Sequence, residues 1–249
     1  MNFKLYLKKV GNKLYFKLFS RRFHKRLTYC FMSNKSETLI IVFSGFASKP
    51  VYNYVNTLRN IKADKLFILD DFGYKGSYYW FENGRDYPRT LTESLISSVM
   101  GGQKYKRIIT AGSSKGGTCA IYFGLKFHAN HIFAGACQYL VGNYLYQECN
   151  REKFYGMMGY ESELENRKLL NEMVASIIEK ERGNNDTHIH LLYSDKEHTY
   201  EDDILPLLRK LNDCNMQYDE VVCDFDDHSD VGIYFAPYLR QQIKELIGK

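Results

Sequence analysis

Apolar residues gather along this chain in short blocks, each followed by small or polar residues and then by a longer stretch of helical spacing. The clearest block is 37–43, with Leu39-Ile40-Ile41-Val42-Phe43 unbroken. Such a run, bounded by turn residues, predicts a strand buried on both faces. Further strands are predicted at 26–32, 65–69, 108–110, 131–136, 188–193 and 218–225. Helices are predicted between them at 51–61, 88–99, 117–127, 167–182, 200–214 and 231–247. Pro50 and Pro88 stand near the starts of two of these, where a missing N–H does no harm. Strand and helix thus alternate about six times, which predicts an α/β fold: a mostly parallel sheet with helices on both faces.

Two stretches break the rhythm. Residues 70–87 open on Asp70-Asp71-Phe72-Gly73-Tyr74 and continue through Ser77-Tyr78-Tyr79-Trp80. Residues 138–166 mix aromatics, methionines and glycines without a period, and read as a small cap or lid over a site. Composition adds that 249 residues, 45% hydrophobic and with only four prolines, suit one ordered domain with a sizeable core. No apolar run reaches membrane-spanning length and no signal peptide is evident, so a cytoplasmic location is expected. The six cysteines are dispersed without a C-x-x-C pair and read as reduced thiols, not a disulfide or zinc framework.

Charge divides the chain unevenly. Residues 1–28 hold nine Lys/Arg and no acid, and the rest carries 25 Lys/Arg against 29 Asp/Glu, a net of −4. Leu7, Val10, Leu14 and Leu18 fall at roughly helical spacing with lysines between them. A basic amphipathic helix of this kind suits the anionic inner face of a membrane or an acidic assembly partner. A helix or hairpin packed on the body with a solvated basic face is the alternative. No nucleic-acid-binding motif accompanies the charge, so no nucleic acid partner is expected.

The candidate chemistry centres on residues 107–123, where Ile108-Ile109-Thr110 leads into Gly112-Ser113-Ser114-Lys115-Gly116. This is G-x-S-x-G between a predicted strand and a predicted helix, the setting of a nucleophile elbow. The glycines let backbone pass close to backbone while a strained turn exposes the central hydroxyl. A P-loop does not fit, because Lys115 precedes the glycine pair. An ordinary Gly-rich crossover turn would ask nothing of the rest of the chain. A nucleophile asks for an acid and then a histidine, each after a later strand.

The chain meets that demand in order. Ser114 comes first, Asp195 directly follows the strand at 188–193, and His228 follows the last strand. Serine needs a base, histidine titrates near neutrality, and a carboxylate orients the imidazole. Ser113 rivals Ser114; Glu197, Asp202 and Asp203 rival Asp195; His198 rivals His228. Oxyanion donors are expected from the backbone N–H groups of Lys115 and Phe46, the latter in the loop Ser44-Gly45-Phe46-Ala47. No H-x-x-x-H or clustered acid and histidine spacing appears, so neither metal nor cofactor is expected.

The order of elements and the set Ser114, Asp195, His228 resemble the α/β-hydrolase superfamily over about residues 27–249. Three segments further resemble capsular polysaccharide biosynthesis proteins of the XcbB/CpsF type: Asp70-Asp71-Phe72-Gly73 with Ser77-Tyr78-Tyr79, Gly112-Ser113-Ser114-Lys115-Gly116-Gly117, and Ala120-Ile121-Tyr122-Phe123-Gly124-Leu125. The resemblance implies an α/β-hydrolase-like domain over 29–249 behind the basic segment 1–28. It implies a serine-dependent esterase or O-acyltransferase, moving an acetyl group on a bacterial surface or capsular polysaccharide or its precursor. Phe72, Tyr78 and Tyr79 are then expected to bind substrate, since flat rings suit sugar faces. The alternatives are core packing for these rings, and for the chain a non-catalytic scaffold of capsule assembly that has kept the fold.

Overall fold

Eight strands form one sheet in the order β1-β2-β4-β3-β5-β6-β7-β8. The structure, a computed structural model, describes residues 19–248. The amphipathic helix expected around Leu7, Val10, Leu14 and Leu18 lies outside them. β1 (Arg21–Phe23) and β2 (Leu27–Met32) make a hairpin that pairs antiparallel with β4 (Asp64–Ile68). The basic segment expected over 1–28 therefore overlaps the sheet from residue 21 onward. β3 (Thr38–Phe43), β4, β5 (Arg107–Ser113), β6 (His131–Gly135), β7 (His188–Ser194) and β8 (Gln217–Cys223) are mutually parallel.

Every residue of β3 is buried because both faces of the sheet are covered. Leu39, Ile41 and Phe43 pack on one side with α2 (Tyr87–Gly101), α3 (Lys115–Lys126) and α6 (Glu163–Lys180). Ile40 and Val42 point the other way, toward α1 (Val55–Leu58) and α8 (Val231–Ile247). This is the two-residue alternation of a strand applied to a doubly covered sheet. Among the described residues no helix is long and apolar enough to cross a membrane.

Three elements differ from the sequence expectation. The helix expected at 51–61 shrinks to the four residues of α1, because Tyr54 takes a left-handed φ of 58°. Its ring packs edge-on against Phe235 at 5.2 Å and its hydroxyl bonds Ser113, so tertiary contact overrides helix propensity. The helix expected at 200–214 opens as a wide turn over Tyr200–Ile204 and becomes α-helical only in α7 (Leu205–Asp213), with Pro206 in its first turn. The stretch 138–166 holds α4 (Val141–Tyr146), a 3-10 turn at Glu148–Asn150 and α5 (Arg151–Met158). Each is too short to show a period in the sequence. α5 lies directly on the loop after β4: Asn83 N–H donates to the Gly156 carbonyl at 3.3 Å and Gly84 N–H to that of Met157 at 3.0 Å.

Candidate active site

Ser114 sits between the end of β5 and the start of α3, with φ 51° and ψ −130°. A non-glycine residue pays strain of about 1–3 kcal/mol there, and it persists only where the surroundings enforce it. Two glycines supply the enforcement. A Cβ on Gly112 would lie 2.2 Å from the Gly116 carbonyl oxygen, and one on Gly116 would lie 2.7 Å from that of Phe43. Strand, turn, helix and the end of β3 are therefore in backbone contact, which only glycine permits.

His228 opens a 3-10 turn after β8, fixed by Asp227, whose carboxylate accepts the Ser229 N–H at 2.8 Å. The His228 Nε2 lies 2.8 Å from Ser114 Oγ, within reach of a base taking the serine proton. Its Nδ1 lies 3.1 Å from Glu197 Oε2. Glu197 is 3% exposed and is further held by Thr199, whose hydroxyl and N–H donate to its carboxylate. Burial works against charge on Glu197, but the hydrogen bonds from His228 and Thr199 outweigh it and hold the carboxyl below its usual range. The geometry thus brings together Ser114, His228 and Glu197.

Asp195, expected as the acid, is corrected to Glu197. Asp195 follows β7 directly but its side chain lies exposed in solvent. The Ser194 hydroxyl accepts the N–H of Lys196 at 3.2 Å and of Phe225 at 3.3 Å, which turns the chain. The residue reaching back to His228 is therefore two positions later. His198 is half exposed and stands beside the acid, its Nδ1 3.4 Å from Glu197 Oε2, not beside Ser114. Asp203, another rival, accepts the N–H groups of Tyr139 and Leu140 at 2.8 and 2.7 Å, and burial pushes its carboxyl up to about 6.

The substrate-binding expectation for Phe72, Tyr78 and Tyr79 is also corrected, since all three are 0% exposed. Tyr78 stacks on Trp80 at 5.2 Å, and Phe72 packs edge-on against Tyr87 at 5.8 Å. The Tyr79 hydroxyl donates to the Ile68 carbonyl at 2.8 Å and accepts the Ser44 N–H at 2.8 Å. These rings are core, with no face left for a sugar.

Sequence reasoning missed Gln138. Its amide donates to Ser114 Oγ at 3.3 Å and its carbonyl oxygen accepts from the Tyr78 hydroxyl at 3.3 Å. Its backbone is clamped by Thr118, whose Oγ1 accepts the Gln138 N–H at 2.9 Å and donates to its carbonyl at 2.8 Å. Position 138 follows β6 by three residues, and only that strand-end placement hinted at a role.

Lys115 begins α3, where backbone N–H groups have no partner within the helix. Phe46 lies in the loop after β3, which is fixed one residue earlier by Gly45 N–H donating to Asn53 Oδ1 at 3.0 Å. The Lys115 side chain is fully buried and pairs with Asp70 at 2.6 Å. Asp70 also accepts the N–H groups of Ser77 at 2.8 Å and Tyr79 at 3.2 Å. One buried charge pair thus ties the residue after Ser114 to the loop after β4. Lys153 of α5 sets its ammonium 4.9 Å from the Phe46 ring, placing a cation beside that loop. Glu197, His198 and His228 bring their ligand atoms within 4.8 Å of one another, as a metal would need. An ion there would take Nδ1 of His228 from Glu197, and with it the orientation that aims Nε2 at Ser114.

A scan against protein-family models found no match, and a search of curated proteins found none either. Solved structures do match. A mutant of the capsule O-acetyltransferase of Neisseria meningitidis serogroup A, in complex with CoA, superposes with a TM-score of 0.75 at 20% identity, over 87% of this chain and 91% of that one. The Gap123 glycosylation-associated complex of Streptococcus agalactiae gives 0.71 at 16% identity, over 91% of this chain and 46% of that one. The fluorophosphonate-binding serine hydrolase FphF of Staphylococcus aureus gives 0.57 at 16% identity, over 89% and 91%. With its mostly parallel sheet and these neighbours, the chain has an α/β-hydrolase-like fold and in that fold resembles capsule biosynthesis proteins.

Proposed function

We propose that this protein is a serine-dependent O-acyltransferase that moves an acetyl group onto a bacterial capsular or surface polysaccharide or its precursor. The observation that carries the reading is the hydrogen-bonded set Ser114, His228 and Glu197, strung at 2.8 and 3.1 Å across the carboxyl ends of β5, β7 and β8. That edge is where parallel α/β sheets gather ligands. The likeness to a capsule O-acetyltransferase supports the acyl group and the glycan, and the CoA bound to it supports an acyl-CoA thioester as donor.

His228 Nε2 takes the proton of Ser114 as Oγ attacks the acyl carbonyl. The N–H groups of Lys115 and Phe46 receive the oxyanion, and the Gln138 amide steadies Oγ. As the tetrahedral intermediate collapses, His228 returns the proton to the leaving thiolate. A sugar hydroxyl, deprotonated in turn by His228, then takes the acetyl group from Ser114. Water in place of the sugar would make the same site an esterase. A non-catalytic scaffold has no use for the strained Ser114 backbone or for an aligned base, and both favour catalysis. The basic residues 1–28 would bring the enzyme to an anionic membrane or assembly partner.

The test is acetyl-CoA presented with and without acceptor polysaccharide, reading free thiol and glycan-bound acetyl together. Thiol release that depends on the glycan and vanishes in Ser114→Ala is expected. Glycan-independent release identifies hydrolysis of the thioester donor by water, and release that persists in Ser114→Ala contradicts the serine mechanism.

A further inference from the structure

We propose that a zinc ion binds His188, His190 and Asp219, at the edge of the sheet opposite Ser114. The sequence hides this cluster, because the histidines are two residues apart on one strand and the acid is on the next. Pairing of β6, β7 and β8 sets His131 beside His188, and Phe133 beside His190 beside Asp219. His188 and His190 therefore share a face of β7, while Ile189 and Leu191 between and after them fill the core on the other.

The geometry is that of a three-ligand site. His188 Nε2 lies 3.3 Å and His190 Nδ1 3.0 Å from Asp219 Oδ2, and all three ligand atoms fall within 4.8 Å of one another. Tetrahedral zinc with ligands at 2.0–2.1 Å has ligand-to-ligand edges of about 3.3 Å. His188 Nε2 is buried and makes no hydrogen bond, an orphan that an ion would satisfy. The far nitrogen of His190, Nε2, lies 3.1 Å from His131 Nδ1, so it can donate there while Nδ1 faces the ion. Such an outer partner fixes the tautomer and orientation of a ligating histidine. The Phe133 ring, stacked on His190 at 4.3 Å, holds the imidazole from one side. His188 and Asp219 are partly exposed, which leaves an entry path and a fourth position for water. Ser194 lies six residue steps along β7 from His188, about 20 Å of strand. The ion would thus clip the beginnings of the two strands whose far ends lead to Glu197 and His228, and its role there is structural.

The test uses tag-free full-length protein stripped with EDTA and titrated with zinc chloride by calorimetry, with magnesium chloride as control. One equivalent of zinc and a rise in unfolding temperature are expected, with no response to magnesium. His188→Ala and Asp219→Ala should each weaken binding at least tenfold, and His131→Phe about 10–100-fold as an outer partner. His198→Ala should leave zinc binding unchanged, which separates this cluster from the one at Glu197. Cobalt(II) in the unmutated protein should show tetrahedral d–d bands, so the proposal does not depend on any variant folding. Absence of zinc heat, or loss in His198→Ala with retention in His188→Ala, would overturn it.

Discussion

Glu197→Gln is expected to lower turnover by about 10⁴-fold, while Asp195→Asn leaves it unchanged. The estimate follows the amide substitution of a serine protease triad acid, which leaves geometry intact and spoils the tautomer. Here Oε2 faces His228 Nδ1 at 3.1 Å, and an amide in its place neither fixes the Nδ1–H form nor stabilises the imidazolium. His228 takes the Ser114 proton only as the neutral base. Glu197 itself is held below its usual range, so the stability it contributes is present above an ordinary carboxylate's titration and is lost as pH falls through the folded value. Steady-state turnover of a small ester by both variants, and thermal unfolding of the native protein across acid pH, check these. A 10⁴-fold loss in Asp195→Asn with activity kept in Glu197→Gln would reverse the assignment.

Lys115→Met is expected to destabilise the fold by about 3–5 kcal/mol, the range for removing one partner of a buried ion pair. For a chain of this size each kcal/mol moves the melting point by about 2–4 °C, so the drop is roughly 6–20 °C. The reason is Asp70, which is left as an unpaired charge at a site where its own exposure is 2%. Lys115→Met with Asp70→Asn should recover much of the loss, since asparagine keeps an oxygen for the Ser77 and Tyr79 N–H groups without the charge. Activity should fall further than the folded fraction does in both variants, because the pair anchors the first residue of α3 beside Ser114. Thermal unfolding of the single and double variants measures the coupling. Equal melting points for native protein and Lys115→Met would rule out the pair as an anchor.

Much of the fold is legible in the sequence because the parallel strands β3 to β7 are largely buried and so read as apolar blocks, β3 most clearly. The helical spacing of α8 is equally plain, and its predicted bounds of 231–247 match. Ser114 and His228 are legible for a different reason: an elbow needs glycines at fixed offsets, and chain order limits where a base can stand. The acid escapes because a side chain two residues past a strand end is placed by the turn, here by the Ser194 hydroxyl, and not by the strand. Tyr78 and Tyr79 mislead because an aromatic loop reads alike whether its rings face a sugar or a core. Gln138 and the pairing of Lys115 with Asp70 are long-range contacts that no local pattern records.

Whether Ser114 is a catalytic nucleophile is read most directly by labelling with a fluorophosphonate probe, which reacts with a serine only when an adjacent base has activated it. The native protein should be labelled at Ser114, His228→Ala should be labelled far more slowly, and Ser114→Ala not at all. A folded native protein that takes no label, or a Ser114→Ala variant that still does, would contradict a catalytic Ser114.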